Sequence, residues 1–398
     1  MSPTHRARTL VLPTALALMA ATFHAPTASS TGGAEPVDTA EPNGAVDAAP
    51  EDQATDEGTH RLSVLTLNMW FSGTKVSDGP AAAAAAIEET GADVVFLQES
   101  NLSTLRIARE LGWEHHGLAR SAAVITKYPI LETDIVENTW TKAVLDVEGV
   151  EVAAYSGHLE YRFYANYLPR GYGAGAVGLQ WPRDWRSWDL LEEPITDTDS
   201  LLELNAASGR LGDAAALAAD VAEEGENGRL AVIGGDFNEA SAQDWTEETA
   251  ELFDRHGAVV PWQTTQTLLE SGLSDAYREA HPDPATHPGF TWPAANPVHD
   301  PAEISWTHEA DERDRIDYVF YSPDERWDLE EVRVVGPQDS VVEGQAAAEQ
   351  GEDEIFTPSG TWPSDHKAVQ AEFMISTEQA PDSEGTEGAQ DDEEAGAH

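Results

Sequence analysis

The chain has 398 residues, no cysteine and a formal net charge of -51, from 22 Lys+Arg against 73 Asp+Glu. The lack of cysteine excludes disulfides, thiolate metal sites and a thiolate nucleophile. So negative a surface repels nucleic acid and anionic membranes at long range, but it does not exclude phosphate substrates, because bound divalent metals can reverse the local sign. We interpret the charge as adaptation of an exported protein to a salty medium, where repulsion is screened; a specific role in binding cations is the less favoured alternative.

The two ends of the chain differ in composition from its centre. Residues 1–28 begin with arginines, continue with an apolar stretch at 10–21 and end in small residues, which predicts a signal peptide. The apolar stretch is too short and too interrupted by proline to span a membrane. Residues 29–60 and 377–398 are acidic and predict a disordered linker and tail. Residues 61–376 form the predicted catalytic domain of a secreted, monomeric protein without stable membrane insertion.

Apolar runs and helix signals alternate along the predicted domain. A helix is predicted from Pro80, a first-turn residue, to the residue before Gly91. The other predicted elements are, in chain order, strands at 62–68, 93–99, 122–126, 144–147 and 152–159, a helix at 208–224, a strand at 230–236, a helix at 264–281, strands at 315–321 and 330–335, a surface loop at 338–354 and a final strand at 369–375.

Residues 230–239 contain a buried strand followed by the most informative polar motif of the predicted domain. Four apolar residues lead into Gly234 and Gly235, which we expect to let the backbone turn sharply at the end of a buried strand. Asp236 and Asn238 follow two positions apart, so an extended backbone would place both side chains on the same side. Such a pair can hold a hard cation, a water and a phosphoryl oxygen, although a simple turn after the strand would also favour these residue types.

Polar residues recur at the ends of six predicted strands. Strand ends that meet at one edge of a sheet sandwich bring their side chains into one cleft. The residues concerned are Asn68, Glu99, His158, Asp236 with Asn238, Asp317, and Asp365 with His366.

The motifs around these residues occur in the order typical of one superfamily. They are Leu67-Asn68-Met69, Leu97-Gln98-Glu99, Gly157-His158-Leu159, Gly234-Gly235-Asp236-Phe237-Asn238, Arg315-Ile316-Asp317-Tyr318-Val319-Phe320 and Ser364-Asp365-His366. Over nearly the whole domain the sequence resembles the endonuclease/exonuclease/phosphatase superfamily, as a secreted bacterial member. The resemblance implies a DNase I-like α/β fold, a four-layered α-β-β-α sandwich of two packed mixed β-sheets flanked by helices, and metal-dependent hydrolysis of a phosphoester by an activated water.

The resemblance also implies a metal site. Glu99 is the expected main ligand of Mg²⁺, with Asn68 and Asp365 beside it. Carboxylate, carboxamide and water oxygens suit Mg²⁺, and Mn²⁺ or Ca²⁺ are alternatives for the same donors.

The implied catalytic residues are His158, Asp236, Asn238, Asp317 and His366. Asp236 and Asn238 would orient or deprotonate the attacking water and hold a phosphoryl oxygen. His366 would act as a second catalytic group, oriented by Asp317, unless Asp317 instead pairs with Arg315. His158 would stabilise charge on phosphorus or protonate the leaving group.

The segment after His158 is rich in aromatic residues and arginine. Arg162, Tyr164, Tyr167 and Arg170 are candidates for binding the substrate, and an aromatic mini-core is the equally weighted alternative. With so negative a chain and no basic stripe, we expect a small or head-group phosphoester, monoester or diester, as substrate. The alternatives are a secreted nuclease, a sphingomyelinase-like phospholipase C and a non-catalytic binding module.

Overall fold

A computed structural model gives the structure of the protein and describes residues 58–117, 121–176 and 178–377. The predicted signal peptide, almost all of the predicted linker and all but the first residue of the predicted tail lie outside these residues. The first strand begins at Thr59, and the last strand ends at Ser376, one residue after the predicted end of the final strand.

Fifteen strands and seven α-helices lie in the described residues. The strands are β1 (Thr59–Asn68), β2 (Val94–Gln98), β3 (Glu114–His116), β4 (Ala123–Thr126), β5 (Ile130–Val136), β6 (Trp140–Val147), β7 (Val150–His158), β8 (Leu230–Asp236), β9 (Ser274–Asp275), β10 (Asp317–Tyr321), β11 (Trp327–Val335), β12 (Asp339–Val342), β13 (Gln345–Ala348), β14 (Ile355–Phe356) and β15 (Ala368–Ser376). The helices are α1 (Gly79–Thr90), α2 (Thr104–Leu111), α3 (Thr198–Ala206), α4 (Arg210–Glu226), α5 (Gln263–Glu270), α6 (Ala276–Ala280) and α7 (Pro301–Ile304).

The strands build two mixed sheets and a hairpin. One sheet has the order β14-β11-β15-β1-β2-β4-β3, the other has the order β5-β6-β7-β8-β10-β9, and β12 pairs with β13. Apolar side chains of the two sheets, among them Val64 and Phe96 from one and Val152 and Val232 from the other, form a core between them. Helices α1 and α2 pack on the outer face of the first sheet and α4 and α5 on that of the second. The predicted four-layered α-β-β-α sandwich is therefore confirmed.

One predicted helix, α1, forms as the sequence signals indicate, whereas the helix predicted at 264–281 does not. Helix α1 has proline in its first turn and ends at Gly91, whose left-handed backbone (φ 70°) lets its N–H bond to the carbonyl of Glu88. The predicted helix at 264–281 is wrong: α5 stops at Glu270, Gly272 takes a φ of +93°, and Asp275 caps the separate helix α6. None of the helices described has the length and hydropathy needed to cross a membrane.

Two further expectations are corrected. Gly234 and Gly235 do not form a turn but lie within β8, where a Cβ at Gly234 would come 2.0 Å from the ring of Phe96 in the opposite sheet. Glycine is thus needed for close approach of the two sheets. The predicted surface loop at 338–354 contains the β12–β13 hairpin, and the Glu349 carboxylate after it bonds to Lys367 and Arg313 at 2.7 and 2.8 Å.

Strand register brings the polar strand ends together. In the second sheet, His158 pairs in parallel with Asp236, and Asp236 pairs in antiparallel with Asp317. In the first sheet, Asn68 lies opposite Gln98, so that Glu99 follows at the same edge. Both sheets therefore deliver their functional residues to one end of the sandwich.

Candidate active site

A cavity of about 630 Å³ opens at this end of the sandwich. Most of the predicted site residues line it, namely Glu99, His158, Tyr164, Tyr167, Asp236, Asn238, Asp365 and His366. Asn68, Asp317, Arg162 and Arg170 are not among the lining residues. The structure thus gathers residues that are up to about 300 positions apart in the chain into one site.

Asp236 lies at the centre of the polar part of the cavity. Its carboxylate accepts hydrogen bonds from the Asn68 side-chain amide at 2.8 Å and from the backbone N–H of Asn238 at 2.9 Å. The Nε2 atoms of His158 and His366 lie 3.7 and 3.9 Å from its Oδ2. Burial and the nearby Asp317 carboxylate raise the pKa of Asp236, whereas the two histidines oppose the rise.

His366 and Asp317 form the predicted buried pair. Nδ1 of His366 lies 2.9 Å from Oδ2 of Asp317. Burial lowers the pKa of His366, but the negative charges of Asp317 and Asp236 outweigh it and raise the pKa to about 10. The alternative pairing of Asp317 with Arg315 is wrong, because Arg315 bonds to Asp244 and Asp275 instead.

Asn238 is held by two groups from the chain after His158. The Tyr164 hydroxyl donates to its side-chain oxygen, and its side-chain nitrogen lies 3.4 Å from the carbonyl of Leu159. Its backbone adopts a φ of 51°, as Glu99 does with 50°, and non-glycine residues in this left-handed region often occur at functional sites. Tyr164 therefore lines the cavity and also fixes the orientation of the Asn238 amide.

The donor set of the cavity fits a hard divalent cation at Glu99 and Asp365. Asp365 Oδ1 is buried with no hydrogen-bond partner among the described residues, and burial together with the Glu99 carboxylate raises the pKa of Asp365 to about 7 although His366 opposes the rise. Oε2 of Glu99 accepts a hydrogen bond from the backbone N–H of Phe71 at 2.6 Å, and Oε1 lies 4.0 Å from Nε2 of His158. Glu99 and Asp365 would hold such a cation, whose charge would offset the repulsion between their two carboxylates.

A second group of metal-ligand type consists of Asp236, Asp317 and His366, with one ligand atom of each within 4.8 Å of the others. The hydrogen bond between His366 and Asp317 accounts for this proximity. Oδ1 of Asp317 has no hydrogen-bond partner among the described residues either, but the raised pKa of His366 keeps its imidazole protonated at neutral pH, and a protonated imidazole does not bind a cation. Glu99 and Asp365 are therefore the stronger metal-ligand candidates.

Asn68 does not take the role expected of it as a metal ligand. Its side chain is fully buried, its oxygen accepts the backbone N–H of Trp70 at 2.9 Å, and its nitrogen donates to Asp236. Both ends of the amide are thus used inside the protein. We reassign Asn68 as a residue that positions Asp236.

The two arginines predicted to bind substrate are also corrected. The Arg170 side chain is 0% exposed and bonds to Asp314 at 2.6 Å, so it stabilises the core behind the cavity. Arg162 is 59% exposed and lies outside the cavity, with its guanidinium bonded to both oxygens of Glu160. Neither arginine contacts the cavity in this structure.

Several lining residues were missed by sequence reasoning. Trp70 and Phe71 directly follow the Asn68 motif, which is the signal that could have found them, whereas Trp292 and Trp306 come from irregular segments. The Trp292 ring packs on His366 with centroids 4.8 Å apart. The Trp188 ring, from the aromatic segment after His158, lines the cavity as well.

The chain is similar to known proteins over most of its length. Residues 65–366 match the model of the Endonuclease/Exonuclease/phosphatase family. An uncharacterized Caenorhabditis elegans protein, F14F9.5, is 26% identical over 336 residues, which cover 79% of this chain and 91% of that protein. The crystal structure of humanized D. rerio TDP2 is 15% identical with a TM-score of 0.44, covering 79% of this chain and 98% of that one. A Bacteroides thetaiotaomicron mannosyl-6-phosphatase is 16% identical with a TM-score of 0.44, covering 78% and 99%.

The sandwich fold, the paired carboxylates and the Asp–His pair around one cavity define a metal-dependent phosphoric ester hydrolase. The family match covers most of the chain, and the protein belongs to the Endonuclease/Exonuclease/phosphatase family.

Proposed function

We propose that the protein is a secreted, Mg²⁺-dependent enzyme that hydrolyses a small or head-group phosphoester. The proposal rests on the convergence of Asp236, His158 and His366 with two carboxylates in one cavity. Both imidazoles lie within 4 Å of the same carboxylate oxygen, and the Nε2 atom of His158 is buried with no hydrogen-bond partner among the described residues. A phosphoryl group in the cavity would supply the missing acceptor.

The protein's own groups divide the chemistry among them. Asp236 is placed to take a proton from the attacking water, because its raised pKa makes it a better base than an exposed aspartate. His366 is cationic at neutral pH and would stabilise negative charge that develops on the phosphoryl oxygens. The Asn238 side chain would hold a phosphoryl oxygen, and His158 would donate to the leaving oxygen.

Glu99 and Asp365 are the residues that would hold the metal. Oxygen donors favour Mg²⁺ over softer metals, and Mn²⁺ or Ca²⁺ would use the same donors. When bound, such a cation offsets the negative charge of a phosphoryl group that faces several carboxylates.

The charge of the cavity favours a small substrate over nucleic acid. Lys75 is the only lysine or arginine among its described lining residues, whereas Glu99, Asp236, Glu303 and Asp365 are acidic. A nuclease needs basic groups along the phosphate backbone it binds. A nuclease is therefore the second candidate, and its DNA hydrolysis would fall steeply with added salt.

The test is turnover of a phosphoester panel by the mature protein, with and without EDTA and with Mg²⁺ restored. The panel holds plasmid DNA, RNA, sphingomyelin, inositol phosphates, sugar phosphates and a chromogenic diester. We expect metal-dependent turnover that falls about 10²-fold or more in Asp236→Asn, since general-base catalysis typically contributes that much. The exposed Asp199 on α3 supplies the matched control, Asp199→Asn, which should keep full activity. Activity that survives Asp236→Asn, or no metal-dependent turnover at all, would refute the proposal.

Export and oligomeric state are further parts of the proposal. In a secreting bacterial host we expect the protein in the medium with an N-terminus near residue 28, as measured by intact-mass spectrometry. Light scattering should give the mass of a monomer. Retention of residues 1–28 in a cell-bound product would overturn the proposed export.

A further inference from the structure

Exposed aromatic rings are concentrated at the catalytic cavity. Among the described residues, the aromatic side chains that are large and exposed are Phe71, Tyr161 and Trp306, with exposed fractions of 62%, 61% and 50%. All three line the cavity. Large apolar groups left uncovered beside a catalytic centre mark a surface that a ligand covers.

These exposed rings continue into a supported aromatic wall. The Trp306 ring packs edge-on against Trp188, with centroids 5.1 Å apart, and Trp188 in turn contacts Tyr164 and Tyr167. On the catalytic side, Tyr161 lies nearly parallel to His158, at 6.2 Å and 16°. Rings held in this way offer flat apolar faces at little loss of conformational freedom.

The same part of the cavity carries little positive charge. Lys75, the one lysine among the described lining residues, lies 5.3 Å from the Phe71 ring centroid and 5.9 Å from that of Trp70. Glu303 lines the cavity in the segment next to Trp306. A substrate with several phosphates or carboxylates would meet more acidic than basic groups here.

We infer that the cavity is specific for a phosphoester of a ring-bearing, otherwise uncharged group, whose ring stacks on the exposed aromatic side chains beside the catalytic residues. The inference rests on the proposed function and names its substrate class. A nucleoside and a hexose both offer such a ring. Aromatic side chains stack on any base, because every base has a flat face. Removing one such side chain typically lowers affinity about fivefold to a hundredfold.

The experiment compares phosphoesters of a nucleoside and of a hexose with the phosphoester of an acyclic polyol. Adenosine 5′-monophosphate, glucose 6-phosphate and glycerol 1-phosphate, each also as its methyl diester, are hydrolysed by wild type, Trp306→Ala, Phe71→Ala and Tyr161→Ala. We expect wild-type kcat/KM to favour a ring ester over the glycerol ester by about tenfold or more. Trp306→Ala should remove most of that preference through KM, with a much smaller effect on the glycerol ester. The nucleoside and hexose arms identify which ring is preferred.

Two controls separate stacking from folding. Trp306→Phe keeps a ring and should keep the preference. Leu131→Ala removes an apolar side chain that is 48% exposed on β5, outside the cavity, and should change nothing. Binding of the same monoesters to Asp236→Asn, followed by quenching of tryptophan fluorescence, gives a readout without turnover.

The outcomes distinguish the inference from the proposed function. Equal turnover of ring and glycerol esters, or equal losses on both in all three alanine variants, would overturn the inference while the hydrolase proposal stands. A preference for the inositol phosphates of the first panel over these monoesters would overturn it too. No turnover of any ester by wild type would overturn both.

Discussion

His366 shows how one buried pair decides the charge of a catalytic group. An isolated buried imidazole would be neutral, because burial disfavours its charged form. The carboxylates of Asp317 and Asp236 reverse this effect and raise the pKa of His366 to about 10. The side chain is therefore a fixed cation at neutral pH, and Asp236 is left as the group able to accept a proton.

Removal of Asp317 should expose this balance. In Asp317→Asn we expect the pKa of His366 to fall well below 10, measured by NMR titration of the imidazole in EDTA. Since the folded-state pKa lies above the ordinary 6.5, the pairing stabilises the fold fully below pH 6.5 and ceases to do so as the pH rises through about 10.

Denaturant unfolding of the same two proteins checks the sign. The stability advantage of wild type over Asp317→Asn should be greater at pH 6 than above pH 10. An advantage that grows with pH, or an unchanged pKa of His366, would show that Asp317 does not set the charge of the imidazole.

Tyr164 acts on the reaction through Asn238. Its hydroxyl donates to the Asn238 side-chain oxygen, so Tyr164→Phe should loosen the amide while leaving the aromatic wall in place. A neutral hydrogen bond contributes about 0.5–1.5 kcal/mol, so we expect kcat to fall by up to about tenfold with KM nearly unchanged. Steady-state kinetics of Tyr164→Phe beside Tyr161→Phe, which alters another ring of the same cavity, provides the measurement. Equal effects in the two variants, or a loss confined to KM, would argue against this positioning role.

The role of a residue was predictable from the sequence where the residue belongs to a motif. It was not predictable where the role depends on a bonding partner far away along the chain. The strand-end positions of Asp236, Asp317 and His366 follow from local patterns. Arg170 looked like a substrate ligand because its partner, Asp314, lies 144 positions away along the chain. No local pattern reveals such an ion pair.

At the scale of elements, the register of strand pairing brings the local motifs together in one site. The strands β7, β8 and β10 were each recognisable from apolar runs, but the alignment of His158, Asp236 and Asp317 depends on pairings that form only in the sheet. The hairpin at β12 and β13 escaped prediction because its sequence is acidic and poor in large apolar residues. Its stability comes instead from tertiary contacts, including those of Glu349.

Packing of the two sheets gives an element-scale prediction. Gly234→Ala would place a methyl group 2.0 Å from Phe96, so we expect a loss of about 1–3 kcal/mol in the free energy of unfolding. Gly225→Ala is the matched control, because Gly225 lies within α4 and a methyl group added there would meet no atom within 4 Å. That change should stabilise the helix by about 0.5–1 kcal/mol. Chemical denaturation of both variants tests the contrast, and a neutral Gly234→Ala would contradict tight packing of the sheets there.

At the scale of the whole molecule, the fold divides the charged residues between the core and the surface. Many of the basic side chains in the described residues are buried in the core, namely Lys142, Arg170, Arg210, Arg255, Arg278, Arg313, Arg315 and Lys367. Most of these pair with buried carboxylates, as Arg315 does with Asp244 and Asp275. Ten carboxylates are buried in the described residues against these eight basic side chains, so the large excess of acids remains at the surface. The net charge follows from composition, but only the fold reveals which of the cations face inward.

A surface of this kind should depend on salt for its stability. Raising NaCl from about 0.01 to about 1 M shortens the Debye length from about 30 to about 3 Å and screens repulsion between the exposed acids, so we expect the midpoint of urea unfolding to rise. The triple variant Glu88→Gln, Glu223→Gln and Glu226→Gln removes exposed acids from α1 and α4. It should gain stability at low salt and approach wild type at high salt, since the repulsion it removes is already screened there. A midpoint that stays constant or falls with salt would show that repulsion between exposed acids does not lower the stability of this fold. It would also remove the support for adaptation to a salty medium.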